Sequence, residues 1–346
     1  MKINILYNFN EGAWGGGNQF LKALRIFFEQ KGIYESDLTK ADAILFNSHH
    51  CLETALNIKK NYPEKIFVHR VDGPIFCVRG QDRYLDRLIF MINNIIADGT
   101  IFQSKWSKQR CHELGMREGK YHEVILNAPD PNIFYAKAKK ILEKRKIKLI
   151  ATSWSSNIKK GFEIYQYLDE NLNFSKYEMT FIGNSPMKFR NIRHVEPLPC
   201  GRLANEIRKH DIFITASLDD PCSNSLIEAL HCGLPAVVRN SGGHPEIIAN
   251  NGIVFDEKKD VCRAIDIVAH NYTEYTKYFN ALNIIDIGNK YYNFIKRILD
   301  DINNKKYSPN KLSMLSSVRF ILFLKFCYAR LKIETALNSI KFLRIM

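Results

Sequence analysis

Residues 217–246 read SLDDPCSNSLIEALHCGLPAVVRNSGGHPE, directly after the β-branched run Asp211-Ile-Phe-Ile-Thr-Ala216. The run predicts a buried strand, stopped by the turn-like Asp219-Asp220-Pro221. A helical pattern follows over 225–231, with Gly233 as its stop signal, then a short strand over 235–238 and a second turn at Gly242-Gly243. Strand, polar loop, helix, strand is the rhythm of an open parallel sheet. In such sheets ligands bind in the crevice beyond the strand ends, where helix N-termini offer unpaired N–H groups to anions. Two carboxylates, Asp220 and Glu228, bracket the polar loop.

These residues resemble the donor-site signature of the family 4 retaining glycosyltransferases of GT-B fold. In that signature two acids eight apart flank a small polar loop, followed by E-A-x-x-C-G-x-P and G-G-x-P-E. Glu228-Ala229, Cys232-Gly233 and Pro235 match the first run, and Gly242-Gly243 with Pro245-Glu246 the second. Agreement in order and spacing over thirty residues is far more specific than one acid pair. The first acid is Asp220, one methylene shorter than the usual Glu.

A chain of 346 residues suits two domains. With 46% hydrophobic and 25% charged residues it is globular in composition. The net charge of +14 favours polyanionic or phosphorylated partners, although a solvated basic face explains charge alone equally well. Eight cysteines are scattered without C-x-x-C or a neighbouring His cluster, which argues against structural zinc and a disulfide framework. The N-terminus enters a strand at once and lacks a signal-peptide pattern, so a cytoplasmic setting is expected. No run approaches 18 uncharged apolar residues, so no membrane-spanning helix is expected.

Residues 3–9 read as a first strand. The loop after it carries Gly12, Gly15, Gly16 and Gly17, which is not the G-x-G-x-x-G dinucleotide fingerprint. A tight turn or close approach to a ligand explains it; the resemblance implies that Gly15, Gly16 and Gly17 face the donor and acceptor. Further strand-like runs at 42–48, 65–71, 98–103 and 123–127 alternate with helical stretches, predicting a parallel sheet covered on both faces. Val68-His69-Arg70-Val71-Asp72 ends the third strand. The resemblance implies that His69 contacts the donor sugar from this domain. Arg70 and Asp72, with Arg79 and Asp82, either shape an acceptor pocket or pair with one another; the ion-pair reading is favoured. Asn127-Ala128-Pro-Asp130 with Phe134 resembles the family's N-G-x-D-x-x-x-F run, with Ala128 in place of Gly.

A charge run over 137–146 reads as the interdomain connection, and a fresh strand at 147–154 opens the second domain. Lys160-Gly161 matches the family's phosphate-binding Lys-Gly, but Ser155 stands where an Arg is expected. The missing charge-assisted contact is worth about 1.5–3 kcal/mol unless Lys159 supplies it. Asn157, Gly183 and Leu198 fall on loops that the resemblance places against the donor, as do Ser223, Asn224 and Ser225. The last stretch, 318–346, mixes Arg319, Lys325, Arg330, Lys332, Lys341 and Arg344 with many Phe, Leu and Ile against Glu334 alone. It reads as a basic helix lying on a membrane surface or packing on the protein body, and the overall charge favours the membrane.

The expected architecture is α/β: two Rossmann-like doubly wound domains facing across a cleft, over 1–140 and 141–290, with a basic helical tail at 291–346. The resemblance implies metal-independent, retaining transfer of a sugar from a nucleotide-diphosphate donor, which is a co-substrate rather than a cofactor, to a glycan or lipid-linked acceptor in surface polysaccharide or lipopolysaccharide synthesis. Lys160, Asp220, Glu228 and His69 are the expected catalytic set. An anionic membrane surface is the further expected partner, with localisation at the inner face of the cytoplasmic membrane. A nucleotide-sugar epimerase and a non-catalytic sugar or polyanion binder are the alternatives. No nucleic-acid motif is readable.

Overall fold

A computed structural model describes residues 1–11, 16–137, 145–277 and 283–343, with side chains described up to 330. Gly12, Gly15, the 140/141 boundary and the side chains of Lys332, Glu334, Lys341 and Arg344 lie outside the described residues. The first sheet is built from β1 (Ile3–Leu6), β2 (Ala43–Asn47), β3 (Ile66–Val71), β4 (Gly99–Phe102) and β5 (Tyr121–Val124). Its helices are α1 (Gly16–Gln30), α2 (Leu52–Asn61), α3 (Ile75–Arg79), α4 (Arg83–Ile96) and α5 (Lys105–Glu113). The strands are parallel and in sequential order, β1-β2-β3-β4-β5. They are apolar on both faces, as a sheet covered on both sides requires.

The second sheet holds β6 (Ile147–Ser153), β7 (Tyr177–Gly183), β8 (Arg193–Val195), β9 (Ile212–Thr215), β10 (Ala236–Arg239) and β11 (Gly252–Phe255). Between them run α6 (Phe162–Asn171), α7 (Cys200–Arg208), α8 (Asn224–His231) and α9 (His244–Ile248), followed by α10 (Val261–His270) and α11 (Tyr272–Lys277). All pairings are parallel, in the order β11-β10-β9-β6-β7-β8. The chain therefore winds outward through β7 and β8 and then returns to place β9 on the other side of β6. That reversal is a topological switch point, and the loops leaving β6 and β9 diverge there to open a crevice. The first sheet has no such reversal.

Two helices close the chain, α12 (Ile284–Asn303) and α13 (Met314–Leu343). Both return to the first domain. Ile287, Tyr291, Phe294 and Ile298 of α12 share a core with Ile3, Ile5, Phe20 and Phe27, and contact is close enough that a Cβ on Gly288 would lie 2.2 Å from the Phe27 ring. Phe320, Leu324 and Cys327 of α13 join the core on the opposite face, with Leu88, Ile92 and Phe46. The division expected at 290/291 thus falls inside α12. The reason is physical: without α12 one face of the first sheet would expose Ile66, Val68 and Ile101 beyond what α1 covers.

Candidate active site

The loop leaving β6 contains the 3-10 turn Ile158–Lys160, capped by Asn157, whose Oδ1 accepts from Lys159 N at 2.8 Å. Gly161 ends the turn at φ +80°, and a Cβ there would meet Ala216 O at 2.2 Å. Glycine is required for this loop to pack on the end of β9. The result brings Lys160 from one side of the switch point against Asp220 from the other, Nζ to Oδ2 at 3.0 Å.

Asp220 is held from behind by the glycine-rich turn. Gly243 N donates to Asp220 O at 2.8 Å, and a Cβ on Gly242 would lie 2.2 Å from that oxygen. His244 is buried beside it, with Nδ1 3.1 Å from Arg239 O. Burial pushes the Asp220 carboxyl up, but Lys160, His244 and the Cys222 N–H outweigh it and hold the group below its usual range. Helix α8 begins next to it: Ser223 is its N-cap, with Oγ accepting from Leu226 N at 3.4 Å, so the first N–H groups of α8 and its positive dipole end face the crevice. Glu228 lies one turn further along α8. It is buried without a compensating cation, which pushes its carboxyl up to about 8.

Lys160, Asp220, Ser225 and Glu228 line one cavity of about 320 Å³, together with Gly16, Gly183, Leu198 and Asn224. Gly16 belongs to the first domain; a Cβ on it would lie 2.3 Å from Asn224 Cβ, so glycine here permits close approach across the cleft. Asn157 and Ser223 act one step back as caps, and Gly17 does not line the cavity. Pro197 and Cys200, which flank the expected Leu198, also line the cavity, and Trp154, Gln19 and Leu203 are lining residues beyond the expected set. Trp154 directly follows β6, and that strand-end position is the signal that would have found it.

His69 is not in the cavity. Its ring is fully buried in the first domain, stacked on Phe46 with centroids 4.2 Å apart, with Nε2 3.0 Å from Ser48 O and Nδ1 3.2 Å from Asn93 Nδ2. Burial pulls it down to about 4, so the ring is neutral. Strand alternation explains the placement: Phe67, His69 and Val71 point toward α4, and Ile66, Val68 and Arg70 toward α1 and α12. Arg70 is also fully buried, paired with Asp72 and donating to Asn127 Oδ1 at 2.8 Å. Asn127 Nδ2 in turn donates to Asn224 Oδ1 at 3.0 Å, so Arg70 braces the start of α8 from the other domain without lining the cavity. Asp72 is partly exposed at the strand end and also accepts from Gln103 Nε2 at 2.6 Å. Arg79 pairs with Asp82 at 3.3 Å. Arg70 with Asp72, and Arg79 with Asp82, thus pair with one another.

Ser155 stays a neutral wall of the cavity, its Oγ accepting from Asn157 N at 3.1 Å. Lys159 does not replace the expected Arg: its Nζ donates to Cys77 O at 2.5 Å across the cleft and pairs with Asp219 at 3.0 Å. Glu246 makes a further interdomain bridge, accepting from Trp106 N at 3.0 Å. Among the described residues no group of three or more His, Cys, Asp or Glu is placed to hold a metal ion. All eight cysteines are free, and burial raises the Cys222 thiol to about 12.

Two parallel α/β domains, with a crevice lined by Lys160, Asp220 and Glu228 at the switch point of the second, have the GT-B fold of glycosyltransferases. Residues 164–271, which include Asp220 and Glu228 of the cavity, match the family described as glycosyl transferases group 1. Among solved structures it is similar to Anabaena Alr3699/HepE in complex with UDP-glucose, at 15% identity over 88% of this chain and 100% of that one, TM-score 0.63. AviGT4, a glycosyltransferase involved in avilamycin A biosynthesis, is similar at 12% identity over 86% and 98%, TM-score 0.63. WaaG, a glycosyltransferase involved in lipopolysaccharide biosynthesis, is similar at 13% over 85% and 99%, TM-score 0.60. The sequence matches none of the curated proteins.

Proposed function

We propose that this protein transfers a sugar from a nucleoside-diphosphate donor to a glycan or lipid-linked acceptor hydroxyl, with retention of anomeric configuration, as a family 4 type enzyme of surface polysaccharide synthesis. The observation that carries the reading is the Lys160–Asp220 pair at 3.0 Å in a cavity that also holds Glu228 and the start of α8. A departing diphosphate needs positive charge that is already in place when the glycosidic bond breaks. Lys160 and the α8 N–H groups supply it from fixed positions without a metal ion. Asp220, kept ionised by Lys160, accepts hydrogen bonds from donor-sugar hydroxyls. Glu228 accepts from the ribose diol, and Trp154 with Leu198 and Leu203 forms the less polar wall for the base.

A non-catalytic nucleotide-sugar binder is the second reading, favoured by the neutral Ser155 at the phosphate end. Incubating the protein with a panel of nucleotide sugars, scoring thermal stabilisation and release of nucleoside diphosphate, tests both. Stabilisation with release that Lys160→Ala abolishes supports transfer; stabilisation without release for any acceptor supports the binder.

A further inference from the structure

Helix α13 carries apolar side chains on two opposite faces. Its inner stripe, Phe320, Leu324 and Cys327, is buried on α4. Its outer stripe is exposed, Leu315 at 70%, Leu322 at 63% and Phe326 at 56%, with Val318 between them. At 100° per residue Leu315, Val318, Leu322 and Phe326 fall within one outward sector, with Lys325 on one flank and Arg319 on the other. Residues 314–330 hold three cations, Arg319, Lys325 and Arg330, and no acid. The helix is also fixed in place. Asn310, just before it, donates from N and Nδ2 to Asp98 Oδ1 at 2.7 Å and Ala97 O at 2.6 Å, beyond the end of α4. Near the start of α4, the Arg330 guanidinium sits 4.7 Å over the Tyr84 ring.

We propose that the outer face of α13 docks on an anionic lipid bilayer, lying in its interface with Leu315, Val318, Leu322 and Phe326 among the acyl chains. A contiguous apolar ridge flanked by cations matches an interfacial helix: the ridge gains by leaving water while the cations meet lipid phosphates. Among the described residues no helix is long and apolar enough to cross a membrane, so the helix lies on the surface rather than spanning it. A second copy of the chain is a poorer occupant, because pairing along this ridge would crowd cations of one sign without an acid between them. Docking this way sets the N-terminal end of α4, and with it exposed Phe76 and Arg83 at the cleft rim, beside the bilayer. On the transfer reading above, that side of the cleft would receive its acceptor from the membrane.

Flotation of the full chain with vesicles tests the proposal. Wild type is expected to float with phosphatidylcholine vesicles containing about a third phosphatidylglycerol, and far less with phosphatidylcholine alone. Leu315→Glu with Leu322→Glu should weaken vesicle binding about tenfold or more while leaving the thermal melt unchanged, since both side chains are outside the packed stripe. Arg319→Glu with Lys325→Glu should remove the dependence on anionic lipid. The proposal is overturned if wild type fails to float with the anionic vesicles or if the double apolar variant floats like wild type. It is equally overturned if wild type is a dimer in solution that the same variant converts to monomer. Stabilisation by donor nucleotide is read at the cleft and is expected in every variant, so failure of the transfer reading registers separately.

Discussion

Lys160 and Asp220 meet at 3.0 Å although they lie on loops from different strands, β6 and β9, which adjoin only because the second sheet reverses its winding between them. The two opposite charges neutralise one another at the crevice wall. On the proposed transfer reading, a bound diphosphate competes for the lysine and a sugar hydroxyl for the carboxylate, which positions the pair for the two groups on either side of the breaking bond.

Replacing Lys160 by Ala should lower turnover about 10²–10³-fold, the usual cost of removing one preorganised donor to developing negative charge. The check is the rate of nucleoside-diphosphate release under saturating donor. A variant that keeps wild-type turnover would remove Lys160 from the mechanism.

Ser155→Arg should tighten binding of the nucleoside diphosphate, because Lys159 is committed to Cys77 O and Asp219 and, among the described residues, Lys160 alone brings a cation to the cavity. A restored charge-assisted contact is worth about 1.5–3 kcal/mol, roughly tenfold to a hundredfold in affinity. Titration calorimetry of wild type and variant decides it.

Burial raises the Glu228 carboxyl from 4.5 to about 8. Between those values the folded chain keeps a proton that the unfolded chain has lost, so this group makes stability fall as pH rises through the window. Glu228→Gln removes that slope: its melting temperature should gain on wild type between about pH 5 and pH 8. On the proposed contact between Glu228 and the ribose diol, donor affinity has the opposite trend, since ribose hydroxyls donate to the ionised form. Wild-type affinity should rise up to about pH 8, and that of the Gln variant should stay flat.

His69→Ala is expected to cost roughly 2–4 kcal/mol of stability, through the lost packing on Phe46 and the lost bonds to Ser48 and Asn93. Donor binding per folded molecule should change less than threefold or so. Chemical denaturation paired with nucleotide titration separates the two effects. A selective loss of turnover in a fully folded variant would return His69 to the reacting centre.

Local signals carried much of the molecule. Most central strands are buried on both faces and so are written as short, largely apolar runs, legible one at a time, and the motif at 217–246 states its own turn, cap and carboxylate spacing. The edge strand β8 was missed because it is three residues long and mostly exposed. His69 was misplaced because both neighbours of its strand are covered, and alternation assigns a side chain to a face without saying which face borders the crevice. Sequence alone thus determined the two-sheet class, the loop with Asp220 and Glu228, and the departure at Ser155. Only the tertiary structure decided that Lys159 is spent on an interdomain bridge, that Arg70 braces Asn224 through Asn127, and that α12 and α13 belong to the first domain. Each of those facts joins residues tens to hundreds of positions apart, and contacts of that range are set by which apolar faces remain to be covered once the sheets have formed.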